Sequence, residues 1–339
     1  MSEAILDLLT GRGAGFPLGA FLLTGALVFL IAGRLARDAD LIADATGLGR
    51  VWIGSLLLAA STSLPELVTD VNAALLGVPD IGVGDLLGST MANMLILAGL
   101  DLAMPKRRIL ENVAVDHVLV ATLALVLTAM AGIAIATGGW GSIGRVGVET
   151  VVIACAYVLG MRVVYRSAPP GVPGEQLALG ENSGTLLRRG LLGFGVAAAG
   201  LLVTAPLLVL TAEALAIEAG LSQTAVGTLL VGFTTSFPEM AATIAAVRMG
   251  ALDLAVGNIF GSNAFNMFVL LPMDLAYGPG PVLASVSASH VISAQFATLA
   301  LALGMLGILG RAGRLLALVR LESLGILAAY AGLAWLLVR

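Results

Sequence analysis

The chain has 339 residues, of which 59% are hydrophobic and 11% are charged, and its mean hydropathy is +1.03. A soluble domain carries roughly 25% charged residues, so this composition excludes a soluble globular protein and indicates a polytopic membrane protein. The net charge of −4 says little about partners, and no nucleic-acid partner is expected. The single cysteine, Cys155, excludes an internal disulfide framework and a CxxC metal site.

Ten segments are apolar enough to cross a membrane, for which about 20 residues are needed. The first follows an acidic amino terminus with Glu3 and Asp7 and is longer than the apolar core of a signal peptide, so it is expected to be retained. The ten segments are 16–33, 51–76, 80–103, 113–137, 146–166, 187–217, 222–248, 252–276, 281–309 and 314–338.

A linker is predicted between the fifth and sixth segments, where three prolines and four glycines lie close together. It covers residues 167–186 and is expected on the cytoplasmic side. The chain is therefore predicted to have two halves of five helices each, residues 1–166 and 187–339. The predicted fold class is an all-α polytopic membrane protein.

Two polar stretches repeat within this apolar chain. Ala60–Asp70 reads ASTSLPELVTD and Phe233–Thr243 reads FTTSFPEMAAT. The spacing from Glu66 to Glu239, called the repeat offset below, holds without a gap until Asp101 falls on Asp274. The matched pairs include Thr62 with Thr235, Ser63 with Ser236, Pro65 with Pro238, Ser89 with Ser262 and Asn93 with Asn266. The sequence therefore predicts an internal duplication.

The basic residues predict the orientation, because cytoplasmic loops carry an excess of Lys and Arg. With the amino terminus outside, 14 of the 17 basic residues lie on the cytoplasmic side, and only Arg12, Arg145 and Arg339 lie outside. Both termini are then outside. Since each half has an odd number of helices, the halves are inserted upside down relative to one another. Inverted-topology repeats of this kind are common in secondary transporters.

The prolines predict a break in each repeated helix. Pro65 and Pro238 have no N–H and clash with the carbonyl four residues earlier, so each helix should kink or unwind just before its glutamate. This releases backbone carbonyls near 59–62 and 232–235. Together with the repeated hydroxyls and amides they form an all-oxygen ligand set without His or Cys, which favours a hard cation. Two glutamates balance one Ca²⁺, and the same oxygens can hold more than one Na⁺.

The sequence supports a ligand role more strongly for the glutamates than for the serines and threonines. A serine or threonine in a membrane helix usually bonds its own backbone or a neighbouring helix. A glutamate at mid-membrane depth is different, because burying its charge costs at least ~2.5 kcal/mol. Glu66 and Glu239 are therefore expected to be functional. Because the neighbouring hydroxyls and amides recur together with the glutamates, a ligand role is expected for them as well.

The motifs TSLPEL with GDLLGSTMAN, and TSFPEM with GNIFGSNAFN, resemble the two α-repeats of the sodium/calcium exchanger family, prokaryotic type, within the cation/Ca²⁺ antiporter superfamily. The repeats span about 59–101 and 232–274. The resemblance implies ten helices in two inverted five-helix repeats, with the glutamates as central Ca²⁺ and Na⁺ ligands. It also implies threonine carbonyls, serines lining Na⁺ sites and two amides in the centre. The implied ligands are Glu66, Glu239, Thr62, Ser63, Ser89, Asn93, Thr235, Ser236, Ser262 and Asn266.

The chain departs from the family pattern at several positions. Asn266 stands where members often carry Asp, so the centre has one charge fewer, and Thr90 and Ala92 replace the usual Asn and Phe. Asp85 replaces the Asn of the GN pair, and Asp70 has no acidic mate in the second repeat. We expect these two aspartates to be accessory acidic groups: an outer vestibule that recruits cations, or a proton-titrating pair. The alternative is that each caps or bonds a neighbouring helix.

The predicted function is Ca²⁺ export driven by Na⁺ entry, by alternating access, in the inner cell membrane. The alternative is a Ca²⁺/H⁺ antiporter, or one for another divalent cation. An ion channel is disfavoured by the pseudo-twofold duplication, and an intramembrane hydrolase by the lack of a nucleophile–base pair or HExxH, so no enzyme activity is expected. No cofactor and no obligate protein partner are expected, only inorganic cations and the lipid bilayer.

The remaining charged residues are expected to be ordinary. Asp101, Asp116, Glu149, Glu213 and Glu322 lie near predicted helix ends, where contact with solvent or the membrane interface is expected. His290 is expected to be a structural hydrogen-bonding residue rather than a proton relay.

Overall fold

The computed structural model describes residues 6, 8–11, 13, 15–104, 109–167, 182–218, 232–310 and 320–338. In the first half, a π-helical segment, Ile53–Leu58, connects two short helices, and a two-stranded antiparallel hairpin precedes the last helix. The elements of this half are α1 (Gly15–Thr46), α2 (Arg50–Trp52), α3 (Ala59–Thr62), α4 (Leu64–Leu75), α5 (Pro79–Ala103), α6 (His117–Thr137), β1 (Ser142–Ile143), β2 (Val146–Gly147) and α7 (Val148–Ser167).

The second half follows the same order of helices. Its elements are α8 (Ser183–Glu218), α9 (Gly232–Thr235), α10 (Phe237–Met249), α11 (Leu252–Ala276), α12 (Val282–Ser285), α13 (His290–Leu309) and α14 (Leu321–Val338). The repeat offset carries the start of α5 onto that of α11, the start of α6 onto that of α13, and the start of α7 onto that of α14. The duplication therefore extends over the last three helices of each half.

The prediction of ten membrane-spanning helices is confirmed only in part. Seven of the described helices are long and apolar enough to span, namely α1, α5, α6, α7, α8, α11 and α13. The helix interrupted before Leu64 would make an eighth if both of its parts form one span. The predicted segment 222–248 begins in residues that lie outside the described chain, as does most of the predicted linker. The apolar part of α14, Leu321–Leu336, is shorter than a usual span.

The first helix is longer than predicted. The apolar run ends at residue 33, where charges begin, but α1 continues to Thr46. Its charge is tolerated because the buried Asp38 accepts a 2.7 Å bond from Arg34 Nε, one helical turn earlier. The neighbouring helix α8 has Gly193 at the contact, and a Cβ there would collide with the Asp38 carboxylate. α1 and α8 thus pack along each other around a neutralised charge.

The fifth and ninth predicted helices begin later than expected. Four glycines between α6 and α7 adopt left-handed backbone angles, with φ from 68° to 100°. Gly138 ends α6 and Gly144 lies in the turn between β1 and β2, and α7 starts at Val148 after this hairpin. The predicted segment 281–309 is likewise divided into α12 and α13, because the chain becomes extended at Val286.

Two histidine–aspartate pairs join the halves at equivalent positions. His117 Nε2 of α6 lies 3.0 Å from Asp253 Oδ1 at the start of α11. His290 Nε2 of α13 lies 3.1 Å from Asp80 Oδ1 at the start of α5. Each pair links the fourth helix of one half to the third helix of the other, so the halves interlock through the duplicated contact. His290 has the structural role expected of it.

The expectation that all the remaining acidic residues contact solvent or the interface is wrong for Asp101 and Glu149, which are buried. Asp101 accepts a hydrogen bond from the Ser323 hydroxyl at 3.0 Å and forms an ion pair with the Arg320 guanidinium at 2.9 Å. Glu149 accepts the backbone N–H of Trp140 at 3.0 Å. Both carboxylates lie near helix ends as predicted, but they bind adjacent segments of the chain instead of water.

Helix α11 is at the centre of the structure, and most of its residues are buried. It contacts the π-helical segment Ile53–Leu58 of the other half at backbone distance. A Cβ on Gly257 would lie 3.1 Å from the Ser55 nitrogen, one on Gly54 would lie 2.7 Å from the Leu254 carbonyl, and one on Gly261 would overlap Ser55. Small residues permit this approach, as they do in many membrane helix pairs.

We therefore expect Gly261→Ala to destabilise the protein by about 1–3 kcal/mol, because the added methyl has no space beside Ser55. Gly195→Ala is the matched control, since a Cβ at this exposed position of α8 meets nothing within 4 Å. Thermal unfolding of the detergent-solubilised proteins measures the effect. Equal melting temperatures for the two variants would contradict the close contact.

Candidate cation-binding site

The two repeated helices are interrupted directly before their glutamates. Ser63 and Ser236 leave helical geometry with φ/ψ of −90°/5° and −81°/5°. The axis of the first helix bends by 47° at this point. The prediction of a break caused by Pro65 and Pro238 is confirmed. Each glutamate now lies in the first turn of a new helix, α4 or α10, where the helix dipole favours a negative charge.

The structure brings the two glutamates of opposite halves together. Glu66 and Glu239 are 1% and 0% exposed, and their carboxyl groups lie within electrostatic range of each other. The Ser63 hydroxyl of the first half donates to Glu239 Oε1 of the second half at 2.8 Å. The glutamates therefore form one buried acidic centre at the interface between the halves.

The repeated threonines make equivalent contacts across this interface. The Thr62 hydroxyl donates to Asn258 Oδ1 at 3.3 Å, and the Thr235 hydroxyl donates to Asp85 Oδ1 at 3.0 Å. Asp85 and Asn258 are related by the same repeat offset as the two threonines. In addition, the Ser89 and Thr235 hydroxyls are 3.3 Å apart. Each half thus places its threonine against the third helix of the other half.

The two central amides are not equivalent. Asn93 Nδ2 donates to Asn263 Oδ1 at 2.9 Å, whereas neither amide atom of Asn266 has a hydrogen-bond partner among the described residues. The repeat mate of Asn263 is Thr90, whose hydroxyl donates to the Leu86 carbonyl of its own helix instead. The departure at position 90 thus leaves Asn266 without the partner that Asn93 has.

Sequence reasoning missed Asn258 and Asn263 as members of this polar network. Both lie in the motif GNIFGSN, and each differs from its mate in the first repeat, where Asp85 and Thr90 stand. The available signal was the motif itself, which places these residues on the same helix as Ser262 and Asn266. Selecting only residues that recur identically in both repeats left them out.

Several buried oxygens in this centre have no hydrogen-bond partner within the described part of the chain. A buried polar atom without a partner costs about 1–3 kcal/mol, so such a group of oxygens is suited to cations. Among the described residues, no three His, Cys, Asp or Glu side chains converge on one point. Hydroxyl and amide oxygens must therefore supplement the glutamates. The unpaired oxygens are Glu66 Oε2, Glu239 Oε2, Ser236 Oγ, Ser262 Oγ, Asn93 Oδ1 and Asn266 Oδ1.

The accessory aspartates lie beside this centre. The Asp70 side chain is fully buried, and its helix α4 packs against α5, which carries Asp85. Because Asp85 also accepts the Thr235 hydroxyl, the aspartate pair is connected to the ligand set predicted from the second repeat. All ten predicted site residues and Asp70 are buried, and Asp85 is partly buried.

A membrane protein with two interlocked halves and a buried polar centre between two interrupted helices has the architecture of a secondary transporter. Comparison with known proteins identifies the family of this transporter. The family model described as sodium/calcium exchanger protein matches residues 16–165 and 189–339. The chain belongs to the sodium/calcium exchanger family. It is a multi-pass membrane transporter and not an enzyme.

Individual relatives agree with this assignment. The chain is 31% identical over 328 residues to the putative antiporter CaxA of Alkalimonas amylolytica, covering 94% of this chain and 97% of that protein. It is 29% identical over 269 residues to the inner membrane protein YrbG of Escherichia coli K12, covering 78% and 81%. A solved structure of the sodium-calcium exchanger NCX_Mj matches the fold with a TM-score of 0.72 at 21% identity, covering 93% and 96%. Family and fold together support a cation/Ca²⁺ antiporter.

We expect Glu66→Gln and Glu239→Gln each to weaken Ca²⁺ binding by about a hundredfold or more, because each removes one charge from a buried site whose partner charge remains. The change preserves side-chain volume and replaces one acceptor oxygen with an amide donor. Isothermal titration calorimetry with the purified protein in detergent measures the affinity. Asp116→Asn, which removes a half-exposed carboxylate near the start of α6, is the control. Wild-type affinity in either glutamine variant would contradict the assignment of the centre.

Proposed function

We propose that this protein is a Na⁺/Ca²⁺ exchanger that exports Ca²⁺ as Na⁺ enters, by alternating access. The observation that carries the proposal is that two buried carboxyl groups, Glu66 and Glu239, come from opposite halves, and that Ser63, three residues before Glu66, donates to Glu239. A site at this interface changes its access when the halves move relative to one another. Because the halves are duplicated and inverted, each can adopt the conformation of the other, which converts a site open to one side of the membrane into a site open to the other side.

The charge of the centre explains why the protein exchanges ions instead of leaking them. Two carboxylates without a cation are costly in a low-dielectric interior, so movement of the empty site between access states is unfavourable. One Ca²⁺, or Na⁺ ions in its place, neutralises the pair. Only the loaded site then changes access readily, and the two fluxes are coupled.

The ligands follow the predicted set. The glutamates bind Ca²⁺ and Na⁺, and the unpaired hydroxyls and amides of the centre supply further oxygens. The carbonyls released at the helix breaks complete the coordination. The cations are cargo, and the mechanism uses no resident cofactor. The ten ligands are Glu66, Glu239, Thr62, Ser63, Ser89, Asn93, Thr235, Ser236, Ser262 and Asn266.

The proposed location is the inner cell membrane with both termini outside. The excess of basic residues in the predicted cytoplasmic loops supports this orientation. The description of the relative YrbG as an inner membrane protein supports the location. In this orientation the linker between the halves is cytoplasmic.

Ca²⁺/H⁺ antiport is the second candidate function. Two observations favour it: Glu66 and Glu239 are both buried carboxyl groups, which protons can neutralise, and Asn266 leaves the centre with one carboxylate fewer than many family members have. In that mechanism protons, instead of Na⁺, neutralise the glutamates after Ca²⁺ has left.

We expect Ca²⁺-loaded proteoliposomes to release Ca²⁺ when Na⁺ is added outside, and to retain it when choline replaces Na⁺ at the same pH. Isotope flux measures the release, and vesicles containing Glu66→Gln serve as the control for leakage. Release driven by a pH gradient without Na⁺ would favour the second candidate instead. Steady Ca²⁺ flux without any counter-ion would exclude both forms of antiport.

A further inference from the structure

The duplicated halves differ in charge at one place beside the central site. In the first half, Asp70 of α4 and Asp85 of α5 lie on helices in close contact, since a Cβ on Gly82, three residues before Asp85, would be 3.3 Å from the Asp70 carbonyl oxygen. The repeat offset places Thr243 of α10 and Asn258 of α11 at the equivalent positions. The second half therefore has a neutral pair where the first half has two carboxyl groups.

The neutral pair is held together by the asparagine amide. Asn258 Nδ2 donates to Thr243 Oγ1 at 3.1 Å and lies 3.4 Å from the backbone carbonyl of Glu239. Its Oδ1 accepts the Thr62 hydroxyl. Asn258 thus uses its oxygen to bond the other half and its nitrogen to bond its own half, and both side-chain atoms have partners.

The acidic pair reproduces only one of these two bonds, the one to the other half. Asp85 Oδ1 accepts the Thr235 hydroxyl at 3.0 Å, which reproduces the contact between Thr62 and Asn258. The other oxygen, Oδ2, stands in place of the amide nitrogen and has no hydrogen to donate. Its neighbour Asp70 is also an acceptor. Oδ2 of Asp85 and both oxygens of Asp70 are buried and receive no hydrogen bond from the described residues.

The surroundings do not neutralise this pair. Neither aspartate forms an ion pair with a described basic residue. Glu66 lies within electrostatic range of both aspartates and adds further negative charge. Because the desolvation of unpaired charges is costly, two neighbouring carboxyl groups in this interior are neutralised either by a proton or by a cation between them. A hard cation with oxygen ligands fits this position.

We propose that Asp70 and Asp85 form an additional cation-binding site, present in the first half only, in which a bound Ca²⁺ or Na⁺ bridges the two carboxylates. The cation takes the place that the Asn258 amide nitrogen has in the second half. The Thr235 hydroxyl, which contacts Asp85, connects this site to the central one. The inference rests on the proposed exchanger function, since it adds one cation to those held by the glutamate centre.

The second half supplies the test variant. Asp70→Thr together with Asp85→Asn gives the first half the neutral pair of the second, and the new amide can bond both the threonine and the backbone. Asp85→Asn alone is the milder variant, since it restores a donor toward Asp70 and keeps the contact with Thr235. Asp116→Asn together with Glu213→Gln is the control, because it removes two carboxylates outside the pair.

The measurement is the number of cations bound at saturation by the purified full-length protein at fixed pH. Radioactive Ca²⁺ and radioactive Na⁺ are used in separate equilibrium-dialysis experiments. The double swap is expected to bind one cation fewer than the wild type for at least one of the two ions, and the control is expected to equal the wild type. For Asp85→Asn, the affinity for that cation is expected to fall at least tenfold, which provides a result even if the double swap does not fold.

A separate variant distinguishes this site from the central one. Glu66→Gln with Glu239→Gln should lose the central cations and retain the cation at the aspartate pair. Unchanged binding in the glutamine variant would contradict the proposed function, whereas unchanged binding of both ions in the aspartate variants would overturn the additional site. A swap that changes only the number of bound protons, with equal metal binding, would also overturn it.

Discussion

The structure depends on placing two carboxyl groups, Glu66 and Glu239, in the interior of a membrane protein. Their charge is unfavourable there unless oxygens, dipoles and cations are arranged around it. The interrupted helices supply this arrangement, because a helix that restarts at its glutamate directs its amino-terminal dipole toward the charge. The hydroxyls that precede each proline then lie beside the acidic centre. The same break that weakens the helix therefore builds the site.

The duplication supports this centre with contacts that cross between the halves. A contact of threonine with asparagine or aspartate occurs at two equivalent positions, and so does a contact of histidine with aspartate. A contact of this kind couples the third helix of one half to the other half and fixes the polar groups in place. Differences between the halves are therefore informative. Where Asn258 is replaced by Asp85 in the equivalent position, an acceptor is retained but a donor is lost, and the site becomes asymmetric in charge.

Much of the site was predictable from the sequence, because charged and proline residues are rare in apolar helices and their repetition at a constant offset is easily recognised. Asn258 and Asn263 escaped this reasoning since their mates in the first repeat are different residue types. The extent of α1 was also mispredicted, because hydropathy treats Arg34 and Asp38 as a helix end although they neutralise each other. Burial of Glu149 was missed for a similar reason: proximity to a helix end in the sequence does not reveal which loop folds over it.

The sequence by itself determined the register of the repeats, the two glutamates, the breaks before them and the resemblance to an exchanger family, since these follow from residue types and local spacing. Only the tertiary structure decided which groups meet across the halves. Ser63 donates to Glu239, while its mate Ser236 has no such partner among the described residues, and Thr235 donates to Asp85. The constant repeat offset relates equivalent positions in the sequences of the two halves. Which side chains of the two halves come close depends on how the helices pack, and that packing involves residues far apart in the chain.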